Sequence, residues 1–386
     1  MSSVLFINRV YPPDDGATGQ LLAELAEALV QEGWQVSVLA AGNLQPSTFN
    51  LQPAIHRVRG LPFTRASLVR RALSYVSLYP ALLWRALRLP RHDVIVTLTD
   101  PPLLLVLGPW LKFWKRARLV HWAQDVYPEV AEELGVLKKN SFVARVLRAL
   151  STWSLRRHDH IIAVGRCMKD RLVARGIDGA KISVIPNWAV NASASQPSTL
   201  NSQLPLTVMY SGNFGLAHPF ESIIAAVKEL ERENAAVRFI FAGSGPRLDA
   251  VRSALADGAN AEFRPPAPLE KLSESLAAAD VHLACMSEEL LGLVVPSKIY
   301  GALAAGRPVV FLGPRTSEAA RVISESGRGL VFDPIHGGRE LAAALRRWAA
   351  RDAEYISAHA ACAAAPVARV PLADFLRALT PPAHRD

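Results

Sequence analysis

Two rhythms alternate along this chain: short unbroken apolar runs, and stretches with an apolar residue at every third or fourth position. Val4-Leu5-Phe6-Ile7 is a run of the first kind and ends at polar Asn8-Arg9. A turn-rich segment follows, Tyr11-Pro12-Pro13-Asp14-Asp15-Gly16-Ala17-Thr18-Gly19. Leu21, Leu22, Leu25 and Leu29 then mark one face of a helix over residues 20–32. Gly33 stops it, and residues 35–39 read as the next buried strand. Strand, helix and strand in this order make a βαβ unit, which predicts a parallel sheet with helices on its faces. The rhythm returns with strands over 94–98, 118–122, 160–164 and 182–185, and helices after Pro101-Pro102 and over 167–175.

Residues 189–205 are Ala, Ser, Asn, Gln and Pro without an apolar period, which is linker composition. The rhythm then restarts. Strands are expected over 207–210, 237–242, 261–263, 281–285, 309–311 and 329–332, with helices over 220–233, 246–256 and 269–279. The fold class is therefore α/β, with two Rossmann-like doubly wound domains. We place a first domain at 1–190, a linker at 191–205, a second domain at 206–366, and a last helix at 367–386 that packs back on the first. A chain of 386 residues is comfortable for two cores and long for one.

Cys167, Cys285 and Cys362 are scattered without metal or disulfide spacing, which suits a reducing compartment. Val4 to Ile7 is too short for the apolar core of a secretory leader, and the longest apolar run is too short to span a bilayer. A cytoplasmic protein is expected. Charge is unevenly spread. The stretch that begins at Arg57 and closes at Arg118 holds 12 basic residues against Asp93 and Asp100. Arg65, Arg70, Arg71, Arg85, Arg88 and Arg91 are interleaved with leucines, Tyr75, Tyr79 and Trp84. Such a face suits an anionic membrane surface, here the inner face of the cytoplasmic membrane; a solvated Arg-rich helix pair is the plain alternative. No nucleic-acid motif accompanies the charge, so nucleic acid is not expected as a partner.

The segment from Glu288 to Pro308 carries the most chemistry. It sets Glu288-Glu289, Gly292 and the helix start Pro296-Ser297-Lys298 in one short stretch. Proline suits a first helical turn, and Gly306 with Pro308 is a helix stop. A helix N-terminus attracts phosphate, whereas a lysine there opposes the helix dipole unless an anion binds beside it. Three more glycine loops sit at strand-to-helix turns: Gly16 with Gly19, Gly212-Asn213-Phe214-Gly215, and Gly243-Ser244-Gly245. Each can offer backbone N–H groups to phosphate, although such turns need glycine for backbone reasons alone. The set together points to a nucleotide-type ligand. The absence of G-x-G-x-x-G after the first strand, and of G-x-x-x-x-G-K-[ST], argues against nicotinamide and P-loop enzymes.

Taken together, Pro12-Pro13-x-x-Gly16-x-x-Gly19, Val184-Ile185-Pro186-Asn187, Tyr210-Ser211-Gly212-Asn213, Phe241-Ala242-Gly243-Ser244-Gly245-Pro246 and Gly306-x-Pro308 resemble a family 4 retaining glycosyltransferase of GT-B fold. His121-Trp122-Ala123-Gln124-Asp125-Val126-Tyr127-Pro128-Glu129 and Val295-Pro296-Ser297-Lys298-Ile299-Tyr300 are similar to the branch that builds colanic acid, O-antigen and other exopolysaccharide units. The resemblance implies a UDP- or GDP-sugar donor in the second domain and a lipid-linked or oligosaccharide acceptor in the first. It also implies retention of anomeric configuration, with no cofactor and no metal. The chain departs from the family's paired glutamates. Glu289 matches the first, whereas counting back from Gly306 puts the second on Gly301. The family's Arg and Lys after the first glycine loop are replaced by Asn213 and His218, which leaves Lys298 as the nearest cation.

On this reading Lys298 holds the departing diphosphate, Glu289 accepts bonds from sugar hydroxyls, and Asp125 orients the acceptor hydroxyl or takes its proton. Donor contacts are expected from Gly212, Asn213, Gly215, His218, Gly243, Gly245, Arg264, Leu290, Gly292, Leu293 and Ser297, and from Arg166 of the other domain. Gly16, Thr18, Gly19 and His121 are the acceptor or phosphate-loop candidates. Plain structural readings stand beside these: Lys298, Glu289 and Arg166 as surface groups, Asp125 as a turn residue, His121 as a core histidine. A nucleotide-sugar epimerase and a non-catalytic scaffold of a polysaccharide assembly are the competing functions.

Overall fold

The computed structural model describes residues 2–14, 16–42, 53–61, 68–190, 204–256, 258–365 and 370–380. Arg65, and most of the expected linker, lie outside them. The chain divides into two compact units. Unit 1 takes residues up to Asn187, the short insert Gly292–Val294 and the segment from Val370; unit 2 takes Trp188–Leu291 and Val295–Arg369.

Unit 1 runs β1 (Ser3–Ile7), α1 (Ala17–Gln31), β2 (Gln35–Ala41), β3 (Ala54–Val58), α2 (Leu68–Arg88), β4 (Val94–Thr97), α3 (Gly108–Lys115), β5 (Arg118–Ala123), α4 (Glu129–Glu133), α5 (Phe142–Arg157), β6 (His160–Ala163), α6 (Arg166–Ala174) and β7 (Ile182–Val184). Its seven strands are all parallel, in the order β3-β2-β1-β4-β5-β6-β7. Unbroken apolar runs form these strands because both faces of a parallel sheet are covered by helices. Leu5, Ile7, Leu39, Ile95 and Leu119 point to one side, against Leu78, Leu82 and Ala86 of α2 and Leu111 of α3.

Unit 2 runs β8 (Leu206–Asn213), α7 (Glu221–Arg232), β9 (Val237–Ser244), α8 (Leu248–Ala254), β10 (Ala261–Arg264), α9 (Leu272–Ala277), β11 (Val281–Cys285), α10 (Lys298–Ala304), β12 (Val309–Leu312), α11 (Glu318–Ser326), β13 (Gly329–Phe332), α12 (Gly338–Ala349) and α13 (Ala353–Ala364). Its six parallel strands stand in the order β10-β9-β8-β11-β12-β13. The core collects Tyr210, Phe214, Phe220, Phe239 and Phe241 with Trp348 and Tyr355 of the last two helices.

The final helix, α14 (Leu372–Leu379), returns to unit 1 and packs on β5, β6 and α1. Phe375 meets Trp122 edge-on at 4.8 Å between ring centres, and Arg118 donates to the Ala378 carbonyl at 3.2 Å. The start expected at 367 lies outside the described residues. The helix expected over 269–279 is a 3-10 turn at Leu269–Lys271 followed by only six residues of α9.

Candidate functional site

Both sheets reverse their order of addition at one place, between β1 and β4 in unit 1 and between β8 and β11 in unit 2. In open parallel sheets the loops that leave the strands at such a point splay apart and form the crevice where ligands bind. The candidate residues can be sorted by their distance in the fold from these two crevices.

In unit 2 the crevice is walled by the loop after β8 and the loop after β11. β8 and β9 stay in register to their ends, pairing Gly212 with Gly243 and Asn213 with Ser244, so the two glycine loops lie side by side. A Cβ on Gly243 (φ +150°) would sit 1.9 Å from the Gly212 carbonyl oxygen, and one on Gly245 (φ +146°) 2.6 Å from the Phe214 oxygen. These two glycines are required by the close approach of the loops, whatever binds there. Gly212 (φ +133°) faces Lys298, whose Cε lies 3.5 Å from the position of a Gly212 Cβ. Asn213 folds its amide back over Gly215.

Lys298 opens α10, with Ser297 exposed as the N-cap and Pro296 before it. Its ammonium lies 4.1 Å from the centre of the Tyr210 ring and donates to the Tyr210 hydroxyl at 2.5 Å. That hydroxyl donates in turn to the Asn213 carbonyl at 2.9 Å. Among the described residues no carboxylate is paired with Lys298, and burial lowers its pKa to about 8, opposed only by nearby Cys285. The cysteine is itself pushed up to about 12, chiefly by burial. His218 donates from Nδ1 to the Cys285 carbonyl at 2.6 Å and so ties the two walls of the crevice together. Burial, then the Lys298 charge, push this imidazole down to about 3. It is neutral, and Nε2 is left as an acceptor. Arg247, which no sequence motif singled out, donates to the His218 carbonyl at 2.9 Å and pairs with Glu221.

Glu289 is exposed on the 3-10 turn Glu288–Leu290. With Pro219, Glu221, Ser287, Glu288, Pro334 and Ile335 it lines a pocket of about 290 Å³. Leu290 is buried, so it can offer only backbone. Arg264 stands at the end of edge strand β10 and pairs with Glu262 at 2.6 Å within that strand.

Gly292 and Leu293 need a correction. They belong to unit 1, not to the glycine loops of unit 2. Val294 bridges Asp125 in antiparallel fashion, and the Val126 N–H donates to the Leu293 carbonyl at 2.9 Å. Leu293 is fully buried. A Cβ on Gly292 would lie 2.6 Å from the Cys167 carbonyl oxygen of α6, which accounts for the glycine without a ligand. Arg166 is the first residue of that helix.

Unit 1 gathers Arg9 after β1, Asp100 after β4 and Asp125 after β5. Arg9 and Asp100 form a two-pronged pair at 2.7 and 2.8 Å directly across the β1–β4 crevice. Asp125 carries the most perturbed carboxyl: burial first, and the Asp100 charge second, raise it to about 7. Gln124 and Asn187 exchange bonds at 3.0 and 2.8 Å beside it. Gly16 caps α1 and Gly19 passes over Val10, where a Cβ would meet the Val10 carbonyl oxygen at 2.9 Å; Thr18, between them, is half-buried. His121 is corrected to a core histidine. It is 1% exposed within β5, bonded by Nδ1 to Thr97, and burial keeps it neutral with a pKa of about 3. Arg57 is likewise withdrawn from the basic surface. It is buried on Asp14 and the carbonyls of Tyr11, Pro12 and Ala41, where it braces the loop after β1.

Comparison with known proteins follows this division. Residues 16–188 match the glycosyl transferase 4-like domain and residues 205–351 match the glycosyl transferases group 1 domain. A probable glycosyltransferase, WbjE, of Pseudomonas aeruginosa is 32% identical over 63% of this chain; the chain spans 62% of that relative's length. A putative colanic acid biosynthesis glycosyl transferase, WcaI, of Escherichia coli is 23% identical over 81% of this chain and 83% of its own. The crystal structure of Anabaena Alr3699/HepE in complex with UDP-glucose superposes with a TM-score of 0.69 at 15% identity, covering 98% of this chain and all of that one. At that identity the likeness speaks for the fold.

Proposed function

The chain belongs to the GT-B glycosyltransferases, and from that premise we propose that it transfers a sugar from a nucleotide-sugar, UDP- or GDP-linked, to a lipid-linked or oligosaccharide acceptor in cell-surface polysaccharide assembly. The observation that carries the reading is Lys298. A cation held beside the Gly212 loop with no carboxylate partner is a costly arrangement unless an anion completes it. The diphosphate of a sugar nucleotide is such an anion, and the neighbouring helix start and glycine-loop N–H groups add to its hold. Support from outside the chain is the UDP-glucose bound by the Anabaena protein of like fold.

In this mechanism the glycosidic C–O bond to the diphosphate breaks as the acceptor oxygen approaches, through an oxocarbenium-like state with retained configuration. Lys298 takes up the charge that develops on the leaving phosphate. His218, neutral, accepts a hydroxyl through Nε2, and Glu289 and Ser297 serve the sugar or ribose. Asp125, with a pKa near neutrality, is suited to receive the acceptor's proton. The reading requires neither metal nor cofactor. The acceptor is met at the cytoplasmic face of a membrane.

The test is a donor panel. Incubation with UDP- and GDP-sugars, read by thermal shift and by slow nucleotide release, should single out one donor that does both. A protein that neither shifts nor releases nucleotide with any donor, while Lys298→Met behaves identically, refutes the assignment.

A further inference from the structure

We propose that the outer face of α2, α3 and α5 in unit 1 is a bilayer-docking surface, in which the aromatic ridge Trp110, Phe113 and Trp114 enters the interfacial layer of an anionic membrane. The proposal rests on the preceding reading only for its purpose, a membrane-borne acceptor; its evidence is separate. Those three residues, at helical spacing i, i+3 and i+4, stand 56%, 73% and 66% exposed on a single face of α3. The helices packed on either side of α3 repeat the pattern. α2 exposes Leu73, Val76 and Trp84, and α5 exposes Phe142, Val143 and Val146. Large apolar side chains in scattered single positions need no explanation, but rows on three adjacent helices do.

Charge says what covers the surface. The three helices hold ten Lys and Arg and no Asp or Glu. Some of these cations are satisfied from neighbouring elements, as Lys112 is by Asp159 and Arg148 by Glu129 and Glu132. Arg88, Arg145, Arg156 and Arg157 remain exposed. A second copy of this chain would set like charge against like, which argues against a symmetric dimer through this face. An anionic bilayer offers phosphate to the arginines and a boundary layer to the rings at the same depth. Arg88 lies over the Trp84 ring at 4.2 Å and Arg157 over Trp153 at 4.3 Å, pairing cation and indole as an interface requires. Among the described residues no helix is long and apolar enough to cross a membrane, so the contact is one of lying on the surface. The ridge makes this more than the electrostatic attraction expected from the basic stretch, since insertion of rings is not screened by salt.

The experiment is co-sedimentation of the full chain with vesicles of phosphatidylcholine alone or mixed with phosphatidylglycerol. Wild type should bind the mixed vesicles and keep a substantial part of that binding at about 0.5 M salt, where surface charge is screened. The variant Trp110→Ser/Phe113→Ser/Trp114→Ser should bind roughly tenfold less or worse, and the single Phe113→Ser should fall between. Arg88→Glu/Arg145→Glu/Arg157→Glu should lose binding to mixed vesicles at low salt. Equal binding by the triple serine variant and wild type overturns the proposal. So does a wild type that binds no vesicle, or one whose ridge proves to hold a dimer, seen as monomers after the serine substitutions. Circular dichroism and the nucleotide-induced thermal shift should be unchanged in the single variant, which separates loss of docking from loss of fold. Vesicle binding uses no sugar nucleotide, so its failure would leave the donor reading standing, and the reverse.

Discussion

Replacing Lys298 with methionine should make the protein more stable and its donor binding worse. Lysine ordinarily titrates at 10.5, and burial brings this one to about 8. At about 1.4 kcal/mol for each tenfold in proton affinity, the protonated side chain costs the fold about 3 kcal/mol. The sign follows from proton counting. The unfolded chain binds the proton more tightly, so the cost is full below pH 8 and disappears as pH rises from about 8 to 10.5. Methionine keeps the stem and gives up one hydrogen bond to Tyr210, worth about 0.5–1.5 kcal/mol. The net gain at pH 7 is therefore roughly 1–3 kcal/mol, shrinking by about 2 kcal/mol at pH 9.5. Urea melts at the two pH values read this directly, since urea, unlike guanidinium, leaves ionic strength alone. Turnover should fall roughly a hundredfold or more. A variant less stable than wild type at pH 7, or a difference that does not change with pH, refutes the argument that Lys298 is held against its own desolvation.

Asp125→Asn should behave in the opposite sense along the pH axis. The carboxyl binds its proton more tightly in the fold, so wild type loses stability as pH rises from about 4 to 7, whereas the variant stays flat and is the more stable above pH 7 by at most about 4 kcal/mol; urea midpoints at pH 5 and 8 check this. If Asp125 receives the acceptor's proton, turnover drops by about 10²-fold or more and the pH–rate rise near neutrality vanishes. Phe375→Ala removes the ring set against Trp122 and should cost about 3–5 kcal/mol. Its thermal midpoint falls while the nucleotide-induced shift, which we propose arises in unit 2, is retained; loss of that shift would contradict the assignment of α14 to unit 1 alone.

Much of the secondary structure was legible because parallel strands, covered on both faces, are written as plain apolar runs. β11 and β13 carry the residues expected of them, and most other strands differ by one to three residues at an end. The helix expected over 269–279 is shorter because Pro268 and Leu269 open a 3-10 turn before the chain settles. Spatial order was not legible in the same way. That Arg9 faces Asp100 depends on β1 lying beside β4, a register 90 residues apart in sequence. The cue was available only in outline: both residues follow an apolar run by two or three positions. Arg57 shows the converse failure. Arg59, two positions on, is exposed, yet the strand position of Arg57 turns it under the loop after β1. Gly292 looked like ligand chemistry and is explained by the Cys167 carbonyl against which it packs.

The return of α14 to unit 1 has a consequence for how the protein comes into being. β5 and β6 are complete by Ala163, but the helix that covers Trp122 lies some two hundred residues later in the chain. At roughly 5–20 residues per second, ten seconds or more of synthesis separate the two. Throughout that interval unit 1 exists on the ribosome with an open apolar seam, while unit 2 emerges with every one of its strands and can close on its own. The order of completion is thus the reverse of the order of synthesis. A chain cut short before Leu372 would carry an intact unit 2 and a unit 1 that has not been sealed, and nascent-chain proteolysis should find unit 1 open until α14 is released.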